Sequence, residues 1–361
     1  MEILCALYPE ADLYTLVHIK GSVSKEIENL KITTSFLQKF PKIERFYRHY
    51  LPLMPKAIES FDLSAYDLVI STSHCVAKGV ITRKETCHIS YIHTPIRYAW
   101  DMYDQYFSNE KNPVKRGLIF LVMGYLRKWD CSTAKRVDHF VANSENISRK
   151  IKKYYGAISE VIYPPVDVGQ FTPNLKAGNE YLIVSAFAPY KRLDIAIEAF
   201  NELGYPLKII GKGQDEKRLK AMAKKNIQFP GWVGNEKLKK VYADCRALVF
   251  PGEEDFGIVP VEVQAAGRPV IAYQKGGLLE TVIPPAGEAV EQISQATGLF
   301  FKEQNVKSLV EAVTKFERVQ EYFDSEKIRE NALKFDQSVY RKKITDFIEK
   351  KYSEFSELKK S

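Results

Sequence analysis

Cysteine is scarce in this chain of 361 residues. The five, Cys5, Cys75, Cys87, Cys131 and Cys245, are widely spaced, odd in number and form no CxxC pair. That pattern argues against a disulfide framework or a zinc site and fits a reducing cytosol. No apolar run approaches the ~20 residues that cross a bilayer. The opening residues, Met1 to Asp12, lack the basic region and long apolar core of a signal peptide. Internal repeats and low-complexity tracts are missing too. What is present is ordinary for a soluble protein, with 45% hydrophobic and 27% charged residues. The length exceeds what one core normally serves and predicts two domains of about 150–200 residues each.

The net charge of +8 is unevenly placed. Between Lys111 and Lys153 eleven Lys and Arg face three acids, so the local excess equals that of the whole chain. Such a patch calls for an anionic neighbour: a phospholipid surface, a diphosphate-linked acceptor or nucleic acid. A solvated helix face is the plainer reading. Two segments mix apolar and basic residues. Leu118–Trp129 is apolar with Lys115, Arg116, Arg127 and Lys128 around it. Residues 36–50 interleave five aromatics with Lys39, Lys42, Arg45 and Arg48. Both suit a membrane interface or a lipid-linked acceptor; for Leu118–Trp129 a buried helix is the alternative. No nucleic-acid motif accompanies them, so no nucleic-acid partner is expected.

Short β-rich runs alternate with helical patterns. They are Asp12–Val17, Tyr66–Ser71, Thr86–His93 and Asp138–Asn143, then Tyr181–Ser185, Pro206–Ile210, Ile227–Phe229, Arg246–Phe250 and Val270–Tyr273, with amphipathic Leu193–Leu203 and Glu216–Lys224 among them. The rhythm predicts an α/β chain with two parallel sheets, each covered by helices. Pro164 and Pro165 mark the boundary. The expected domains are 1–163 on the acceptor side and 164–340 for the donor, with 341–361 a terminal helix packing back on the first. Residues 327–360 read as helical. Ligands of doubly wound sheets bind beyond the carboxyl ends of the strands, so the site is expected in a central cleft between the two lobes.

In the second half, a buried strand runs into Pro251-Gly-Glu-Glu-Asp-Phe-Gly-Ile-Val-Pro-Val-Glu262. A helix should open near Pro260. The backbone N–H groups of Gly257, Ile258 and Val259 at its start suit a diphosphate. Taken alone, Glu262 reads as an acid complementing the helix dipole. A second block, Val184 to Asp194, puts Lys191 and Arg192 where a strand gives way to a helix, as cations able to neutralise a leaving diphosphate. The Gly211-Lys-Gly213 turn is weak evidence for phosphate contact. In the first half, the strand ending at Ile92 delivers His93 to its carboxyl end, and Pro95 terminates it. Ser71, Ser73 and His74 end another strand and are placed on the acceptor side, as is Arg97.

These segments resemble the family 4 glycosyltransferases of the GT-B fold, which pair two Rossmann-like doubly wound domains. The resemblance runs from Ala11 to about Phe347. It is carried by the Glu254–Glu262 pair, by EDFGIVPVEVQAAGRPVIA, by GGLLETV and by YIHTPIRYAWD, the last similar to a bacterial surface-polysaccharide subgroup with O-antigen mannosyltransferases. It implies that Glu254 approaches the donor sugar, that Glu262 holds the ribose hydroxyls, that Lys191 binds the diphosphate and that His93 contacts the sugar. It implies also that the backbone around Val233 borders the nucleobase. One departure stands out: many relatives carry Arg five positions before the lysine, where this chain has Ala186, and Arg192 is the candidate substitute. The implied activity is retaining transfer of a hexose, first mannose from GDP-mannose, to a saccharide or polyprenyl-diphosphate-linked acceptor in surface-polysaccharide biosynthesis. Without a DxD motif, no metal is expected to be obligatory. No residue stands out as a covalent nucleophile, which points to front-face attack. The rivals are a nucleotide-sugar epimerase and a degenerate paralogue that binds without turnover. The expected location is cytoplasmic, peripheral on the inner face of the membrane.

At the start, Met1–Tyr8 reads as the last turns of a first helix, with Ile3, Leu4 and Leu7 on one face. The strand and glycine turn that normally open such a lobe are not in the sequence. The expectation is that roughly 20–30 residues precede the recorded start, the length of one strand–loop–helix opening.

Overall fold

The computed structural model describes residues 1–107, 110–174 and 176–360. The chain divides into two compact units. One comprises Met1–Asn143, Ile147–Ile162 and the chain from Lys343 onward; the other comprises Ser144–Asn146 and Tyr163–Lys342. Ser361, the end of the expected terminal helix, lies outside the described residues.

The first unit opens with a short helix, Glu2–Leu7, which buries Leu4 and Cys5. Two three-residue strands, β1 (Leu13–Thr15) and β2 (Ile32–Thr34), pair in parallel as a separate ribbon. A four-stranded parallel sheet follows in chain order: β3 (Leu68–Ser73), β4 (Cys87–Ile92), β5 (His139–Ala142) and β6 (Ser159–Val161). Every residue of β4 is buried, as expected for an inner strand covered on both faces. The helices Pro113–Thr133 and Glu145–Tyr155 are this unit's long helical elements before the C-terminal helix. Leu118–Trp129, read as either buried or interfacial, is divided along its length. Met123, Leu126 and Trp129 enter the core, whereas Leu118, Phe120 and Leu121 stay exposed.

The second unit has one six-stranded parallel sheet. In chain order its strands are β7 (Tyr181–Val184), β8 (Leu207–Ile210), β9 (Ile227–Gly231), β10 (Leu248–Phe250), β11 (Val270–Tyr273) and β12 (Gly298–Phe301). In space they run β12-β11-β10-β7-β8-β9. The first strand is central, the next two extend one way and the last three the other, which is the doubly wound order. Apolar clusters cover both faces, one built on the Leu193–Leu203 and Val306–Val319 helices, the other on Ile258–Ala265. The tail, expected as one helical stretch over 327–360, is interrupted. Helices Ser325–Leu333 and Gln337–Lys360 flank a break at which Phe335 enters the core and Val166 bridges Asp336. The Val166 N–H donates to the Phe335 carbonyl, and the Gln337 N–H to the Val166 carbonyl. A continuous helix would forfeit both bonds.

Candidate active site

Strands β7 and β10 are neighbours at the point where the strand order reverses. The loops leaving their carboxyl ends therefore lie side by side, the usual ligand position of such sheets. The β7 loop turns through a short helix, Pro189–Lys191, and Arg192 takes a left-handed conformation (φ 53°) to start the next helix. The β10 loop carries Glu253 and Glu254. A side chain at Gly252 would stand 3.2 Å from the Lys191 Cα and carbonyl oxygen, so the loops touch through backbone. Lys191 forms an ion pair with Glu254, both side chains about one-sixth exposed. Arg192 is engaged differently, by both Asp194 carboxylate oxygens at 3.2 Å. The substitute cation for Ala186 thus already has a local partner.

Gly257 caps the Ile258–Ala265 helix with φ 94°, and no side chain caps its first turn. Ile258 is 47% exposed, so this helix start is accessible. Strand β11 lies beside β10, and its loop carries Gly276 and Gly277 against the acidic segment. A Cβ at Gly276 would sit 2.2 Å from the Glu254 carbonyl oxygen, and one at Gly277 2.4 Å from that of Asp255. The Gly277 N–H donates to the Glu254 carbonyl at 2.8 Å. Glycine here is a condition for close packing of two loops. Farther along, Glu280 accepts from the N–H groups of Glu145 and Asn146, and the Ser144 hydroxyl donates to the Asp255 carbonyl at 2.6 Å.

Glu262 lies one turn into the helix and accepts from the Tyr242 hydroxyl at 3.0 Å. Burial raises the pKa of its carboxyl, and the tyrosine hydrogen bond works against that. Tyr242 is fully buried, and no periodicity or motif in the sequence singled it out. Glu280 also went unassigned, although it lies inside the GGLLETV string. The side chain of Val233 is buried in core packing, and Trp232 beside it is 69% exposed. The Gly211–Gly213 turn is a packing device: Cβ atoms there would fall 1.9 Å from the Ser185 carbonyl oxygen and 2.3 Å from that of Phe187.

In the first unit, the backbone N–H of His93 donates to the Ser73 carbonyl at 2.8 Å, and its carbonyl accepts from Asn143 Nδ2. His93 is exposed at the end of β4. Desolvation by surrounding protein, with nearby His74 and the N-terminal ammonium, lowers its pKa to about 4. The imidazole is therefore neutral at pH 7. His74 is also exposed, and its pKa is lowered by desolvation and then by Arg97. His74, His93 and Arg97 therefore share one electrostatic neighbourhood. Ser73 does not present its hydroxyl to solvent: it is buried and accepts from the Lys78 N–H. Ser71 is buried as well, 2.9 Å from His88 Nε2. Among the described residues, no three His, Cys, Asp or Glu side chains are gathered as metal ligands would be.

Comparison with known proteins bears on this arrangement. Residues 170–335 match the family described as Glycosyl transferases group 1, and residues 17–170 match Glycosyltransferase Family 4. An uncharacterized glycosyltransferase of Methanocaldococcus jannaschii is 29% identical over 61% of this chain and 59% of its own length. A GDP-Man:Man(3)GlcNAc(2)-PP-Dol alpha-1,2-mannosyltransferase of Candida glabrata is 24% identical over 60% of this chain and 50% of its own. The O-antigen chain mannosyltransferase RfbU of Salmonella typhimurium is 29% identical over 42% and 46%. The likeness thus spans about half the length of these relatives. Among solved structures, sucrose-phosphate synthase from Thermosynechococcus elongatus aligns with a TM-score of 0.74 at 15% identity, covering 98% of this chain and 91% of that one. Anabaena HepE in complex with UDP-glucose aligns at 0.65 and 15%, covering 97% and 94%. With two family matches running without a gap from residue 17 to 335, on two parallel α/β sheets of which the second is doubly wound, the chain belongs to the family 4 glycosyltransferases of the GT-B fold.

Proposed function

We propose that the chain is a retaining hexosyltransferase that moves mannose from GDP-mannose to a saccharide or polyprenyl-diphosphate-linked acceptor in surface-polysaccharide assembly. The observation that carries this reading is the Lys191–Glu254 pair beside the accessible helix start at Gly257, at the switch point of the second sheet. Cleavage of a sugar–diphosphate bond leaves a cationic sugar and a growing negative charge. Fixed donors placed where that charge develops lower the barrier. Lys191 and the N–H groups of Gly257, Ile258 and Val259 are such donors. A diphosphate that takes Lys191 as its partner frees Glu254 to accept from hydroxyls of the sugar. Glu262, steadied by Tyr242, accepts from the ribose. His93, neutral at pH 7, can exchange hydrogen bonds with a sugar hydroxyl without placing a second cation there.

The choice of mannose is supported by the names of the Candida and Salmonella relatives. The Anabaena structure holds UDP-glucose, so the base and the sugar are the points to test first. A donor panel of GDP-mannose and UDP-glucose, with and without a mannosylated acceptor, monitored for nucleoside diphosphate release, decides between the readings. Release from GDP-mannose only with acceptor is the expected result. Epimerised sugar nucleotide without acceptor would make the protein an epimerase, and binding without turnover would make it a degenerate paralogue.

A further inference from the structure

We infer that the outer face of the Pro113–Thr133 helix lies flat on an anionic lipid surface. Val114, Leu118, Leu121 and Tyr125 recur at spacings of four, three and four residues, which puts them in one stripe. They are 79, 62, 68 and 47% exposed, and Phe120, about a third of a turn round the helix, is 64% exposed. The same helix sends Met123, Leu126 and Trp129 into the core on an adjoining side, so it is anchored while the stripe stays uncovered. Surface positions seldom hold so many large apolar side chains together. The helix has too few apolar residues to span a bilayer, and no helix among the described residues does.

The charges select the occupant. From Lys111 to Trp129 the chain contains no Asp or Glu. Lys128 continues the line of the stripe, Lys115 stands about a quarter-turn from its upper end with the Glu110 carboxylate 3.9 Å away, and Arg116 follows on the next quarter-turn; all three are exposed. A second copy of the chain docking two-fold on this face would set the same cations against each other. An acidic headgroup layer complements them, and the apolar row enters the acyl boundary below it. The inference rests on this surface alone and not on the donor chemistry proposed above.

The test is sedimentation of the full chain with phosphatidylcholine vesicles made with and without phosphatidylglycerol. Binding is expected only with the anionic lipid and should weaken as salt rises. The pair Leu118→Asn with Leu121→Asn, and separately the set Lys115→Gln, Arg116→Gln and Lys128→Gln, should each lower partitioning roughly tenfold or more. All five positions are exposed, so the melting temperatures should not move, and turnover of a soluble acceptor should be retained. Equal partitioning into both vesicle types, or wild-type partitioning by both variants, overturns the inference. So does a dimer seen by ultracentrifugation that the leucine variant abolishes, since that would give the face to a second copy.

Discussion

Glu262 has its hydroxyl donor behind it, in Tyr242, and its raised pKa reflects burial. If it holds two ribose hydroxyls, Glu262→Ala should weaken nucleotide binding by ~1.5–3 kcal/mol, roughly 10–150-fold. Tyr242→Phe removes one hydrogen bond to the same carboxylate and should cost less, about 2–10-fold. Calorimetry with the donor nucleotide reads both; unchanged dissociation constants would take this role from Glu262. Lys191→Ala should lower kcat by on the order of 10²–10³, and the melting temperature should fall as well, because the substitution takes the counter-ion from a carboxylate that is only about one-sixth exposed. Near-normal turnover in that variant would remove Lys191 from the chemistry. A third residue, His88, gives a pH effect without touching a ligand. It is fully buried in β4, with Nδ1 on the Arg136 carbonyl and Nε2 on Ser71, and burial lowers its pKa to about 4. The folded state therefore resists a proton that the unfolded chain binds near the ordinary histidine value. Stability should be full above pH ~6.5 and fall as pH drops toward 4, by roughly 3 kcal/mol for this group. Denaturant titrations across that range should show the slope, and His88→Gln should flatten it.

The elements around the site are short, and their loops are fixed by backbone packing. Gly277→Ala would drive a Cβ against the Asp255 carbonyl and the Phe256 Cα. A loss of about 1–3 kcal/mol is expected, with weaker nucleotide binding because the acidic loop must shift. Gly124→Ala is the control. Its Cβ meets nothing, it lies inside a helix, and it should stabilise by about 0.5–1 kcal/mol. Equal melting temperatures for the two variants would contradict the packing argument. Which elements were legible follows from length and pattern. The helix Leu193–Leu203 and strand β11 were readable residue for residue, because period and flanking turns agree there. Strands β2 and β6 escaped, being three residues each with no buried position, and β12, which opens on Gly298, was missed as well. The break between Leu333 and Gln337 was hidden, since its cause is a bond to Val166, about 170 residues earlier.

For the whole molecule, the proposed mechanism gives Lys191 and the helix start at Gly257 the charge stabilisation that other transferases take from a metal ion. EDTA should therefore leave turnover largely intact; loss of activity with rescue by Mn²⁺ or Mg²⁺ would refute this. The alternation of apolar runs and helical periods was enough to determine two parallel-sheet halves, because period is a local property of side chains. The Glu254–Glu262 segment, Lys191 and the string around His93 were likewise enough to point to a glycosyltransferase. Only the tertiary structure decided which of these residues meet. Lys191 and Glu254, 63 positions apart, pair because β7 and β10 are adjacent in the sheet. The same folding tied Arg192 to Asp194, buried Ser73, set Tyr242 behind Glu262 and left one side of the Pro113–Thr133 helix bare. Strand order and the facing of a helix depend on contacts between distant segments, and no local pattern encodes those.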